Sequence, residues 1–306
     1  MEIIRVRERE IPISDQNTVV ALGFFDGMHA GHAALFARVR EEAAATGAIP
    51  AVCSFLGSSG IKGDAPRLMH EEERLESFRR AGMARVYLLD FAAVRDMSCE
   101  QFCRDVLISA MRCTVAVCGY NFRFGRDGAG DAETLCRLLA SDGVRTVVLS
   151  PVTHGEGAVS SSAIRAAAEA GDILRANALL GHPLSFSGEV VHGKALGRRI
   201  GYPTANLLPT QNVLLPARGV YAVRVDIGDG RLYPAIANVG VRPTVEEGAQ
   251  PNCEVHLLDF DGDLYGKWLS VYFYHRLRGE MKFDTIDALC ARIAADEAKA
   301  KEYFYE

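Results

Sequence analysis

The sequence predicts an α/β chain in two parts, a doubly wound parallel sheet followed by an antiparallel sheet or small barrel. Three observations carry this. The chain has 306 residues, which suits two domains. Up to about residue 180, short apolar runs alternate with amphipathic helical stretches. Beyond Gly181-His182-Pro183 the runs become β-rich and are separated by Gly, Pro and Asp turns. The predicted division is therefore 1–182 and 183–306.

In the first part, Thr18–Phe24 reads as a buried strand. A helix with Leu35, Val39 and Ala43 at spacing four follows. Then come a strand at Ile49–Phe55, a charged helix at Glu71–Ala81 and a strand at Ala84–Leu89. Helix Cys99–Met111, strand Thr114–Cys118, helix Ala132–Ser141 and strand Val144–Leu149 complete the series. In the second part the runs are Ser185–His192, Gly219–Ile227, Leu232–Val239, Cys253–Phe260 and Trp268–Tyr274. A helical tail at Thr285–Tyr303 repeats Leu289, Ile293 and Asp296 on one face.

Composition excludes several classes. Hydrophobic residues make up 49% and the net charge is −5 with both signs mixed, which argues against a nucleic-acid-binding face. No stretch is long and apolar enough to span a membrane, and the N-terminus has no signal-like apolar core. The eight cysteines form no CxxC pair and read as reduced, buried thiols of a cytoplasmic protein, with Cys99 and Cys103 on one buried helix face. The oligomeric state is not legible.

Three segments of the first part fall where strands end, the place where open α/β sheets bind ligands. Gly23-Phe24-Phe25-Asp26-Gly27-Met28-His29-Ala30-Gly31-His32 joins a strand to a helix. Helix starts present free N–H groups to phosphates, two imidazoles there can stabilise charge on phosphorus, and Gly31 lets a ligand approach the backbone. Gly119-Tyr120-Asn121-Phe122-Arg123-Phe124-Gly125 follows another strand; Asn121 and Arg123 suit a ligand, while the aromatics suit either a ligand or the core. Ser160-Ser161-Ser162-Ala163-Ile164-Arg165 opens a helix whose serines cap it or donate to phosphate, with Arg165 one turn in.

These segments resemble the adenylyltransferase domain of the bacterial bifunctional riboflavin kinase/FAD synthetase family, within the nucleotidyltransferase superfamily. The resemblance implies transfer of AMP from ATP to FMN. It implies catalytic His29 and His32, with Gly23, Phe24, Asp26, Gly31, Asn121, Arg123, Ser160, Ser161, Ser162 and Arg165 around ATP. Phe55-Leu56-Gly57-Ser58-Ser59-Gly60 stands where that family usually has Pro-His-Pro, and Ser162 where it usually has Thr. A kinase with a weak or inactive adenylyltransferase half is the alternative expectation.

In the second part, Gly193, Lys194, Gly197, Arg198, Arg199 and Gly201 make a glycine-rich cationic stretch, either a phosphate flap or a flexible basic hairpin. It leads into Pro203-Thr204-Ala205-Asn206. Thr204 and Asn206 are neutral hard ligands suited to magnesium held mainly by nucleotide phosphates; the same four residues also read as a polar turn. Glu254 sits inside the apolar run Cys253–Phe260, as a proton acceptor or at an exposed edge. Gly219–Ala222, Asn238–Thr244, Asp263–Gly266 and Arg278–Phe283 accompany these. Together they resemble the riboflavin kinase domain. The resemblance implies a six-stranded antiparallel barrel with a C-terminal helix, and a magnesium ion held by Thr204 and Asn206. It assigns Glu254 as base on the ribityl hydroxyl, and flavin contacts to Pro203, Asn238, Arg278 and Glu280. The expected small molecules are ATP, riboflavin and FMN, with no nucleic-acid or membrane partner. A flavin-binding protein without turnover would not need Glu254.

Overall fold

The computed structural model describes residues 1–7, 11–57, 65–155, 157–193, 196–208, 212–244 and 248–305. It forms two compact units, Met1–Pro66 with Glu71–Val159, and Arg67–His70 with Ser160–Glu306.

The first unit is a parallel sheet of β1 (Glu2–Val6), β2 (Thr18–Leu22), β3 (Ile49–Phe55), β4 (Arg85–Leu89), β5 (Cys113–Gly119) and β6 (Arg145–Leu149), in the order β1-β4-β3-β2-β5-β6. Its strands are near-continuous apolar runs because both faces are covered. Val20, Leu22, Ala51, Cys53, Tyr87 and Leu89 enter one core. Their chain neighbours Val19, Ala21, Val52, Val86 and Leu88 enter the other. Helix α1 (Ala30–Thr46) brings Leu35, Phe36 and Val39 to this second core, and α2 (Glu71–Arg80) brings Leu75 and Phe78. On the opposite face lie α3, which begins at Cys99–Gln101 and continues as a π-helix over Phe102–Ala110, and α4 (Ala132–Ala140). Each fully buried Val, Leu or Phe contributes about 1.5–3 kcal/mol. Cys103 is buried and Cys99 packs against the same core, as the helical spacing predicts.

Strand β1 escaped the sequence reading because its run, Glu2-Ile3-Ile4-Arg5-Val6, carries charges at an edge where only one neighbour pairs with it. The strand order reverses between β2 and β5, so the crevice at their carboxyl ends is the topological switch point.

The second unit holds α5 (Ser161–Glu169), α6 (Ile173–Leu180) and a closed barrel of β7 (Leu184–Val191), β8 (Ala205–Leu207), β9 (Gly219–Asp226), β10 (Leu232–Thr244), β11 (Gly248–Leu257) and β12 (Trp268–Arg278). The order is β8-β11-β10-β9-β12-β7, closed by antiparallel pairing of β7 with β8. Phe186, Tyr221, Val223, Ala237, Val255 and Phe273 fill the interior, all fully buried. Residues of opposite parity, Val220, Ala222 and Ile236, pack outward under α7 (Ile286–Tyr305), against Ala300 and Ile293. Strand β8 is the element that patterning did not resolve: three residues are too few to alternate visibly, and Pro203-Thr204-Ala205-Asn206 read equally as a metal-binding stretch or as a polar turn.

Candidate functional site

In the first unit, the turn after β2 is held in an unusual backbone path. Phe25, Gly27 and Met28 have φ of +59°, +85° and +43°. For bulky residues such values are strained, at about 1–3 kcal/mol each. The Phe25 ring anchors the turn, buried against Phe36 at 4.8 Å and Phe78 at 5.9 Å. Asp26 is buried beside it. His29 occupies the N-cap position of α1 with extended backbone, and its ring stacks on His32 at 3.7 Å. His32 in turn meets the edge of Phe25 at 5.2 Å. The two imidazoles thus form one rigid stack at a helix N-terminus of the switch-point crevice.

Gly31 also has a local packing role. A Cβ there would lie 3.2 Å from Cε1 and Nδ1 of His29, so the glycine makes room for the histidine's own ring. Gly23 does the same for the Phe25 ring, which a Cβ would approach at 3.0 Å.

The loop after β5 borders the same crevice, because β2 and β5 are paired neighbours. Asn121 and Arg123 are exposed, whereas Phe124 is buried against Phe102 at 5.6 Å. Of the two readings of these aromatics, Phe124 takes the packing one. Arg123 lies 3.5 Å from Asp131. The Thr134 backbone N–H, with Arg123 adding to it, holds the Asp131 carboxyl below its ordinary range.

Ser160 is the N-cap of α5 and accepts from Ala163 N at 3.2 Å, as its position predicts. Ser161 is buried, and the whole segment through Arg165 belongs to the second compact unit.

In the barrel, register assembles the site. Asn206 of β8 lies directly opposite Glu254 of β11, and Glu254 lies directly opposite Asn238 of β10. Directly opposed residues have Cβ atoms about 5 Å apart, so the three side chains form one row on the outer barrel face. Glu254 is therefore mid-sheet, paired on both sides, rather than at an edge. Asn252 donates to Glu254 Oε1 at 3.2 Å, and neighbouring Cys253 faces inward, its thiol pushed up by burial.

Glycines again admit polar side chains. A Cβ at Gly193 would lie 2.5 Å from Asn206 Nδ2. One at Gly240 would lie 3.0 Å from Glu280 Oε1 and 3.9 Å from Asn238 Nδ2. The exposed Glu280 carboxylate thereby joins the Asn238 end of the row. Thr204 stands just before β8 outside the regular strand, its Oγ1 near Gly197. Thr204, Pro203, Val255, Leu257, Phe260 and Tyr265 line a cavity of about 360 Å³. His256 Nδ1 lies 2.7 Å from Pro203 O and fixes this segment to β11.

Arg278, at the end of β12, is engaged by Asp296 of α7 at 2.8 Å, and Asp296 is only 1% exposed. Gly201 has φ +87°, in the turn that leads to Pro203. Lys194 lies outside the described residues, as do the side chain of Arg198 and residues 58–60 of the segment where Pro-His-Pro was expected.

Sequence reading missed Asn252 and Arg74. The one contacts Glu254, and the other is 2% exposed with hydrogen bonds to Phe24 O and Phe55 O. The only hint for Arg74 is its place four before Phe78, on the buried face of α2.

Residues 11–163 match the FAD synthetase family, and residues 180–304 match the Flavokinase family, described as riboflavin kinase. The chain is thus a transferase of phosphorus-containing groups with two catalytic parts. A bifunctional riboflavin kinase/FMN adenylyltransferase of Pseudomonas fluorescens is 37% identical over 294 residues, covering 92% of each chain. One of Escherichia coli (strain K12) is 35% identical over 311 residues, covering 99% of this chain and 98% of its own. This chain belongs to the bifunctional riboflavin kinase/FMN adenylyltransferase family. A crystal structure described as a macrolide-efflux protein from Streptococcus pneumoniae superposes with a TM-score of 0.89 at 34% identity, covering 98% of this chain and 99% of that one. Among the described residues here, no helix is long and apolar enough to cross a membrane.

Proposed function

We propose that the chain makes FMN from riboflavin in the barrel, and FAD from FMN at the crevice of the parallel sheet, using ATP in both steps. Both matched families and the full-length relatives support two active halves over a kinase with an inactive partner. The observation that carries the kinase assignment is the direct cross-strand placement of Asn206, Glu254 and Asn238. Glu254 takes the proton of the terminal ribityl hydroxyl as its oxygen attacks the γ-phosphorus, and ADP leaves. The glycines at 193, 197 and 201, with Lys194 and Arg198, surround the phosphates; Pro203, Asn238, Arg278 and Glu280 contact the flavin.

Thr204 and Asn206 suit magnesium. Both are neutral oxygen donors, and Thr204 lines the cavity of about 360 Å³. Magnesium would neutralise phosphate charge there.

At the crevice, an FMN phosphate oxygen attacks the α-phosphorus of ATP and pyrophosphate leaves. The His29–His32 stack and the α1 N-terminus stabilise the charge that develops. Gly23, Phe24, Asp26 and Gly31 shape that pocket, and Asn121 and Arg123 bind ATP there; Ser160, Ser161, Ser162 and Arg165 are assigned to ATP phosphates by the resemblance alone. In this reading the catalytic parts are 1–182 and 183–306, the protein is cytoplasmic, and neither nucleic acid nor membrane is a partner. Chromatography of flavins after incubation with riboflavin, ATP and magnesium should show both FMN and FAD. Flavin binding without either product would refute the assignment.

A further inference from the structure

Among the described residues, Arg74 is one of the largest fully buried side chains, and it is a cation. A carboxylate oxygen of Glu71 lies 4.0 Å from it. A buried guanidinium is costly, and an apolar residue of similar volume would serve packing as well or better. Its contacts indicate what it does instead. Nη1 donates to Phe24 O at 2.8 Å and to Ser54 Oγ at 3.2 Å, and Nη2 donates to Phe55 O at 2.7 Å. Ser54 Oγ also donates to Phe24 O at 3.0 Å. The guanidinium lies 4.7 Å from the Phe24 ring centroid.

Phe24 lies two residues past the end of β2, and Phe55 ends the adjacent strand β3. One arginine from α2 therefore ties the carboxyl end of β2, which borders the crevice, to that of its other neighbour β3. Phe24 is also the last residue before the strained turn of Phe25, Gly27 and Met28 that delivers His29 to the helix start. A strained path persists only where its surroundings over-determine it. We infer that Arg74 is a positioning residue for adenylyl transfer: it fixes the Phe24 carbonyl, and through it the His29–His32 stack, without touching substrate. This rests on the reading of the crevice as the FAD-forming site.

The two activities make the test internally controlled. In the full-length Arg74→Met protein, kcat for FMN-to-FAD conversion should fall about 100-fold, the scale expected when catalytic groups shift by an ångström. The KM values for ATP and FMN should stay within about threefold, because no substrate contact is lost. Riboflavin phosphorylation by the same preparation should be unchanged. Arg74→Lys, which keeps the charge and some of the donors, should recover part of kcat. Wild-type FAD formation by Arg74→Met would overturn the inference. So would a rise in KM with kcat preserved, or a parallel loss of both activities, which would mark a general strut. If the unaltered chain forms FMN but no FAD, the functional reading of the crevice fails instead.

Discussion

The two sites are built by opposite means. At the crevice, a contiguous segment from Gly23 to His32 supplies the turn, the helix start and both imidazoles. The work of the fold there is to hold one strained loop against Phe36, Phe78 and Arg74. On the barrel, no segment contains the site. Asn206, Asn238 and Glu254 come from three strands and meet only because the register places them opposite one another. A contiguous segment is sensitive to local backbone and packing changes. A register-built site is sensitive to the pairing of strands, since a slip of one residue would turn Glu254 into the barrel interior.

The largest expected effect lies in the barrel. Glu254→Gln keeps the shape and the cross-strand pair but removes the proton acceptor. Riboflavin phosphorylation should drop by roughly 10²–10⁴ while FMN-to-FAD conversion continues, measured by separating the products. His32→Ala should invert the pattern, lowering FAD formation by about 10²–10³ with FMN formation intact. Equal losses at both steps in either variant would break the two-site comparison.

Gly31→Ala sharpens it. The added methyl presses on the His29 ring. If His29 acts in the reaction as proposed, FAD formation should fall about tenfold with the melting temperature nearly unchanged, since only the pose of that ring is altered.

The smallest effect concerns the frame of the first unit. Buried Glu42 of α1 binds Arg145 of β6 and, at 2.7 Å, Arg38. Arg145 holds its carboxyl below the ordinary value of 4.5. The stabilisation is therefore complete above that value and is lost as pH falls through the lowered folded-state value. Glu42→Gln should cost about 1 kcal/mol near neutral pH, the cations being half exposed. Its thermal unfolding curve should converge with that of the unaltered protein in acid.

These contrasts explain what the sequence could reveal. Apolar runs covered on both faces announce themselves, so β2, β3 and β5 were legible; β1, with Glu2 and Arg5 at an edge, was not. His29 and His32 were readable because they share one turn of chain. Thr204, Asn206 and Glu254 were singled out through resemblance, but their assembly was not legible: β8 is three residues long, and nothing local shows that residue 206 faces residue 254. Arg74 and Asn252 act through long-range partners, and the space that Gly31 leaves for the ring of His29 depends on a rotamer.

The most direct test follows the phosphorus. With riboflavin and magnesium, ATP radiolabelled at the γ-phosphorus should mark both FMN and FAD, whereas ATP labelled at the α-phosphorus should mark FAD alone. Glu254→Gln supplied with FMN should still incorporate the α label and none of the γ label. Label from the α position in FMN, or FAD that carries no γ label when made from riboflavin, would contradict two separate ATP-consuming sites.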